Sequence, residues 1–165
     1  MRKLGNIVWF LFLGGFFAWL LWLLASLLAF VSIVGIPWGR ACYNLSELSA
    51  APFGKEAISR QQLTQRLDLG TSILGSIGNL VWFLVLGLWM AIAHGAIGLV
   101  CCVTIIGIPF GIQHFKLAAL AISPIGKAVV SKELAEEARK SNAKADLGKI
   151  RSGTAISGIK QYDDI

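Results

Sequence analysis

The chain has 165 residues, 56% hydrophobic and 15% charged, with a formal net charge of +6; soluble domains run at roughly 45–50% and about 25%. The placement of the charges excludes an ordinary soluble domain: Leu4 to Gly39 and Leu69 to Phe115 contain no Asp, Glu, Lys or Arg, and about 20 such residues suffice to cross a bilayer. The length leaves room for one domain or two very small repeats.

The first apolar run follows Arg2 and Lys3. Between Ile7 and Ser26, twelve residues are Leu, Ile, Phe or Val. At roughly −0.3 to −0.6 kcal/mol each on the insertion scale, they favour insertion by about 4 to 7 kcal/mol. A cleaved secretory leader would have an apolar core of about 7–15 residues and a small-x-small site. Here the run continues to Trp38 with no such site near residues 20 to 32, so the segment is expected to remain in the protein. Gly5-Asn6 is read as the opening of a long aromatic-rich helix, with the Asn6 side chain suited to cap its free N–H groups. The run ends at Gly35-Ile36-Pro37-Trp38-Gly39, where the proline removes a backbone donor and disfavours helical angles at the residue before it. An amphipathic or interfacial piece is expected from Arg40 to Ala51. A Pro52-Phe53-Gly54-Lys55 turn follows and leads into a polar segment.

The same order then returns. Gly5-Asn6-Ile7-Val8-Trp9-Phe10-Leu11 recurs as Gly78-Asn79-Leu80-Val81-Trp82-Phe83-Leu84, 73 residues later. Ser32-Ile33-Val34-Gly35-Ile36-Pro37-Trp38-Gly39 recurs as Thr104-Ile105-Ile106-Gly107-Ile108-Pro109-Phe110-Gly111, and Pro52-Phe53-Gly54-Lys55 as Pro124-Ile125-Gly126-Lys127, both 72 later. Three matched blocks in one order indicate an internal duplication. The second interfacial piece is expected from Ile112 to Ser123. A polar helix is expected from Ser131, its cap, to Ala145, with Glu133, Glu136 and Glu137 toward its start and Arg139, Lys140 and Lys144 toward its end, as the helix dipole favours. Beyond Gly148 a mobile tail is expected. The resulting division is 1–58, first repeat; 59–72, polar linker; 73–130, second repeat; 131–165, cytoplasmic helix and tail.

The expected fold class is therefore an all-α integral membrane protein with two tandem hydrophobic repeats. Lys and Arg number two at the N-terminal flank, four from Arg40 to Arg66, and nine from Lys116 onward. The positive-inside rule places the richest flank, and with it both termini, in the cytoplasm. If the middle segment shares that side, each repeat is a helical hairpin or re-entrant pair broken at Gly-Ile-Pro. The alternative is one long kinked helix per repeat, with the repeats inverted. A turn in the second repeat is expected at His94-Gly95. In the first, Trp19 to Ser26 offers no turn residue.

Chemistry-bearing residues are few. His94 lies deep in the second run, where an ionisable group is functional by default; against that stands a neutral imidazole bonded across helices or at a turn. The duplication puts Trp22 opposite it, so His94 is expected to act without a twin, while His114 beside Lys116 is placed at the membrane edge. Asn6 and Asn79 are read as pore-facing or, more simply, as caps. Gly35, Pro37, Gly107 and Pro109 mark helix breaks that could line a path or serve as hinges. Gly75, Gly78, Ala91 and Gly95 offer small faces for close helix packing. Cys42, Cys101 and Cys102 form no CxxC pair and are expected to pack as small hydrophobes. No catalytic motif, cofactor loop or metal-ligand spacing is present, so neither an enzyme nor a cofactor is expected. The basic residues are dispersed and not interleaved with exposed aromatics, which argues for membrane lipid and against nucleic acid as the partner.

At the repeated Gly-Ile-Pro blocks, with Phe115-Lys116-Leu117-Ala118 after the second and Pro-x-Gly-Lys closing each, the chain resembles the YccF family of small bacterial inner-membrane proteins. The resemblance covers roughly residues 1 to 145. It implies a multi-pass protein of the bacterial inner membrane and brings no catalytic or binding residues. Two roles are expected to compete: a homo-oligomer of channel or transport type, and an accessory or scaffold subunit that binds another membrane protein or organises lipid.

Overall fold

The computed structural model describes residues 2–32, 35–67, 70 and 72–152. Ile33 and Val34 of the repeated block, residues 68, 69 and 71 of the expected linker, and 153–165 of the expected tail lie outside the described residues.

The first apolar run does not form one long helix. Helix α1 (Arg2–Phe12) and α2 (Gly15–Val31) meet at a 74° bend. Gly14 makes the bend with a left-handed φ of 84°, a conformation that glycine adopts without steric cost. A Cβ on Gly15 would collide with the Trp9 ring, so the glycine pair both breaks the helix and lets the indole sit beneath the break. The second run stays continuous: α5 (Ile73–Trp82), a π-helical turn at Phe83–Gly87 and α6 (Leu88–Cys102) make one 30-residue rod.

Both runs turn back at Gly-Ile-Pro. Pro37 and Pro109 lie in the first turn of α3 (Ile36–Ala50) and α7 (Ile108–Ile122), where a missing N–H leaves no hydrogen bond unmade. The prolines thus start the returning helices. Gly35 and Gly107 precede them with their Cα atoms against the carbonyls of Ala29 and Cys101, leaving no room for a Cβ. The turn expected at His94-Gly95 is absent, since both residues lie within α6. The Asn6 and Asn79 caps are also corrected. Asn6 is inside α1, Asn79 is inside α5, and the α5 cap is Ser72, whose hydroxyl accepts from the Gly75 N–H at 3.2 Å.

The fold is not all-α. Strands β1 (Lys55–Ser59) and β2 (Lys127–Ser131) pair antiparallel, with Lys55 opposite Ser131, Ala57 opposite Val129 and Ser59 opposite Lys127. Gly54 and Gly126, at φ 93° and 87°, turn the chain into these strands. The Arg60 N–H donates to the Gly126 carbonyl at 2.8 Å and the Lys132 N–H to the Gly54 carbonyl at 3.0 Å, which closes both ends of the ladder. Each contact is matched by its counterpart 72 residues away. The short α4 (Arg60–Thr64) and the polar α8 (Lys132–Arg151) cover the sheet. Ser131 caps α8 by accepting from the Leu134 N–H at 3.2 Å. The helix runs past both Ala145 and Gly148, so Lys149–Arg151 are helical rather than part of a mobile tail. Arg2 pairs with Glu133 at 2.6 Å, Arg139 with Glu56, and Asn142 donates to the Gln62 carbonyl at 2.8 Å. These contacts tie α8 to α1, β1 and α4.

The core gathers Trp9, Trp22, Cys42, Leu45, Trp82, Met90 and Leu117. Its outside is apolar: Phe12, Phe17, Leu28, Ile73, Val103 and Ile105 are all exposed. Only 22% of the most apolar window in Ile73–Cys102 is buried, whereas a helix at the centre of a soluble protein would be covered on most sides. Thirty residues span about 45 Å at 1.5 Å each, enough for a hydrocarbon core of about 30 Å.

Candidate functional site

Three layers of side-chain hydrogen bonding lead into the interior. The first is a pair of amide clamps. The Asn6 Oδ1 accepts from the Phe53 N–H at 2.9 Å while its Nδ2 donates to the Phe53 carbonyl at 3.2 Å. Asn79 repeats this on Ile125, at 3.0 and 3.3 Å. Both asparagines thus hold the segment that follows a returning helix onto the opening helix of the same unit. The second layer is indole: Trp9 Nε1 donates to the Ser49 carbonyl at 2.6 Å and Trp82 Nε1 to the Ala121 carbonyl at 2.8 Å. Trp38 crosses between the units, donating to the Gly78 carbonyl at 3.0 Å. Phe110, its counterpart, meets Phe53 edge-on at 5.4 Å.

The third layer is a histidine pair. His94 on α6 and His114 on α7 are both buried, and their Nδ1 atoms lie 3.2 Å apart. His114 Nε2 faces the Leu13 carbonyl at 3.1 Å. That carbonyl sits at the α1–α2 bend and is turned inward toward the imidazole. Because a carbonyl only accepts, His114 carries its proton on Nε2, which leaves its Nδ1 bare to accept from the His94 Nδ1–H. The His94 Nε2 is then an unprotonated lone pair. Among the described residues it has no partner, and neither has the Trp22 indole N–H. The Trp22 ring stacks on the His94 ring at 6.4 Å and 12°. An unpaired acceptor and an unpaired donor are thus carried by two stacked rings in a low-dielectric interior, where each is costly. His94 does have a histidine partner, and His114, read from the sequence as a membrane-edge residue, is fully buried. Among the described residues no three His, Cys, Asp or Glu side chains converge on a metal position.

The remaining sequence-derived positions divide. Gly78 is held between Ile125 and Trp38, and Gly75 is buried. Ala91 packs on the core, but among the described residues a Cβ on Gly95 would meet nothing within 4 Å, so Gly95 makes no close helix contact with them. Gly35, Pro37, Gly107 and Pro109 form the two turns and do not approach the histidines through any described bond. All three cysteines are free, with Cys42 buried and Cys101 and Cys102 half-buried. The histidine pair was not found from the sequence because its members sit on an outgoing and a returning helix. Locating the turn at Gly107 would have revealed it, since residues 94 and 114 are nearly equidistant from a turn at 103–107.

A helical protein with an apolar outer face and its hydrogen-bonding side chains directed inward belongs, by class, to the integral membrane proteins. The inner membrane component domain matches the chain twice, at residues 4–55 and 77–127, and the chain belongs to this family, YccF. It is 42% identical over 148 residues to the inner membrane protein YccF of Escherichia coli (strain K12), which covers 87% of this chain and 97% of that relative. The same figures hold for the Shigella flexneri protein of that name. No solved structure matches. The chain is accordingly a protein of the inner membrane.

Proposed function

We propose that this is a non-enzymatic, homo-oligomeric membrane protein of transport type, with the His94–His114 pair as its proton-carrying centre. The observation that carries the reading is the bare, buried Nε2 of His94 beside the Trp22 indole. An ionisable side chain inside a membrane segment is rare and is by default a candidate for an ion or proton path. A proton arriving on His94 Nε2 makes that ring an imidazolium. Its Nδ1 proton then passes along the 3.2 Å contact to His114 Nδ1, and the charge moves one ring toward the Leu13 carbonyl. Gly95 supports oligomerisation: its open surroundings on α6 suit the close approach of a second copy. In vesicles carrying a pH gradient, the wild type should dissipate it faster than empty vesicles, and His94→Ala should return the rate to that of empty vesicles. Equal rates in all three would remove the transport reading.

In the same reading each repeat enters and leaves by the cytoplasmic face, in a multi-pass arrangement with both termini inside. Support comes from the strand register. Because Ala57 faces Val129, its own counterpart, the segments that leave the two units meet on one side. In a background lacking the native cysteines, Arg60→Cys and Ile150→Cys should both resist an impermeant thiol reagent in intact cells. Labelling of Arg60→Cys alone would support inverted repeats instead.

A second reading, a non-transporting scaffold or accessory subunit, is favoured by a different feature. An apolar cleft of about 380 Å³ runs between Ala25, Leu28, Val81 and Val85, wide enough for part of a neighbouring helix. Mass measurement in mild detergent separates the readings: a defined homo-oligomer favours transport, and a monomer that co-purifies with a different membrane protein favours the scaffold.

A further inference from the structure

Near the sheet, the end of α3, strand β1 and α7 enclose a second cleft, of about 200 Å³. Its floor is apolar, built from Leu48, Pro52, Leu117 and Leu120, while Lys55 and Lys116 stand at its rim. The one carboxylate there, Glu56, is engaged by the guanidinium of Arg139, which reduces its power to neutralise the two ammonium groups. Lys132 adds a further positive charge within electrostatic reach of Lys116. Ile112 and Phe115, which adjoin the lining residues Gln113 and Lys116 in sequence, are exposed on α7, so one helix carries both cleft lining and apolar outer surface. A ligand for it needs an apolar body and an anionic head, and it must reach the cleft from the bilayer.

We infer that this cleft is a binding site for one anionic phospholipid, its phosphate between Lys55 and Lys116 and the upper part of its acyl region on Leu117 and Leu120. The duplication supplies an internal contrast. Seventy-two residues away, Lys127 matches Lys55, but Asn44 stands where Lys116 is and Glu47 where Ala119 is. The twin face therefore has one lysine in place of two, and its one carboxylate, Glu47, stands in for Glu56, whose counterpart is Ala128. Dispersed basic flanks attract any anionic surface, whereas this asymmetry confines tight retention to one face of the molecule. The inference does not depend on the transport reading, because nothing in it uses His94 or His114.

The test is lipid retention by the full chain in mild detergent, counted by native mass spectrometry after addition of phosphatidylglycerol or phosphatidylcholine. The wild type should retain one phosphatidylglycerol and no phosphatidylcholine. Lys55→Gln with Lys116→Gln should weaken retention about 30-fold, taking the worth of two near-surface lysines against an anionic headgroup. Lys127→Gln, the matched change on the twin face, should leave retention within about twofold, since that lysine lies off the site. Lys55→Arg with Lys116→Arg should restore it, which guards against loss by misfolding. Equal retention by the wild type and the double Gln variant would overturn the inference. So would equal retention of the two lipids, or displacement of the lipid by millimolar inorganic phosphate, which would make the site one for free phosphate.

Discussion

The Asn79 clamp makes a demanding test of how the returning helices are held. Replacing Asn79 with Ala removes two hydrogen bonds to Ile125 at once, one accepted at 3.0 Å and one donated at 3.3 Å. A hydrogen bond is worth about 0.5–1.5 kcal/mol net, and stranding its partner costs about 1–3 kcal/mol. The Ile125 N–H and carbonyl would both be stranded, but the clamp is part-buried and some solvent will reach them. The expected loss is therefore about 2–3 kcal/mol, or roughly 30- to 150-fold in the unfolding equilibrium. Cys42 provides the assay. It is fully buried, so its rate of modification by a thiol reagent, in a background with Cys101→Ala and Cys102→Ala, reports opening of the core. Ser76→Ala, one turn away on the exposed side of α5, serves as the control. If Asn79→Ala accelerates Cys42 labelling by less than about threefold over that control, equivalent to under 1 kcal/mol, the clamp is a bystander and the account of how each unit closes is wrong.

The other predictions concern separate parts of the molecule. Gly107→Ala should prevent the second return turn from forming, because the added methyl would run into the Cys101 carbonyl; limited proteolysis in detergent should then cut between α6 and α7, and wild-type resistance there would contradict this. Gly95→Ala should leave the folded monomer intact, since nothing lies within 4 Å of the new methyl, yet lower the oligomer mass if α6 is the contact between copies; an unchanged mass locates that contact elsewhere. At the start of α8, backbone donors at its own position and the Arg2 guanidinium hold the Glu133 carboxyl below its ordinary value of 4.5. A group depressed on folding stabilises above its unfolded pKa and loses that contribution as pH falls through the folded one. Hydrogen exchange in the first turn of α8 should therefore rise on acidification below about pH 4.5 in the wild type, and Arg2→Ala should move that rise to higher pH.

What the sequence made legible was whatever depended on solvent and local order. Two charge-free stretches imply lipid, Gly-Ile-Pro interrupts a helix whatever surrounds it, and Ser131 three residues before Leu134 caps a helix from its own side chain. The partners were hidden. Strand β1 is five residues, Lys55-Glu56-Ala57-Ile58-Ser59, with no alternation strong enough to announce a strand, and it exists because β2 lies alongside it. The asparagines were read as caps because capping is local, whereas their bonds reach 46 and 47 residues ahead. Yet that signal was present: Asn and the Pro-x-Gly-Lys block keep nearly the same separation in both copies, as expected if each Asn holds the chain next to that block.

The change of spacing from 73 to 72 residues has a physical location. Trp9 and Trp82 are matched at 73, but the glycines that accommodate their indoles, Gly15 and Gly87, are matched at 72. The extra residue of the first copy therefore falls between Trp9 and Gly15, where the helix breaks at Gly14, while the second copy bridges the same interval with a π-helical turn at Phe83–Gly87. Both are irregularities at one place, beneath one tryptophan, and a helix with regular hydrogen bonding throughout would leave less room there for an indole bonded to the returning helix. The outcomes differ in what they free. The π turn keeps the second helix continuous, while the sharp bend in the first turns the Leu13 carbonyl inward, where His114 meets it at 3.1 Å. That bond fixes the tautomer of His114, and through it the bare nitrogen of His94. The unpaired nitrogen at the centre of the protein thus follows from how the two copies diverged at a single helical turn.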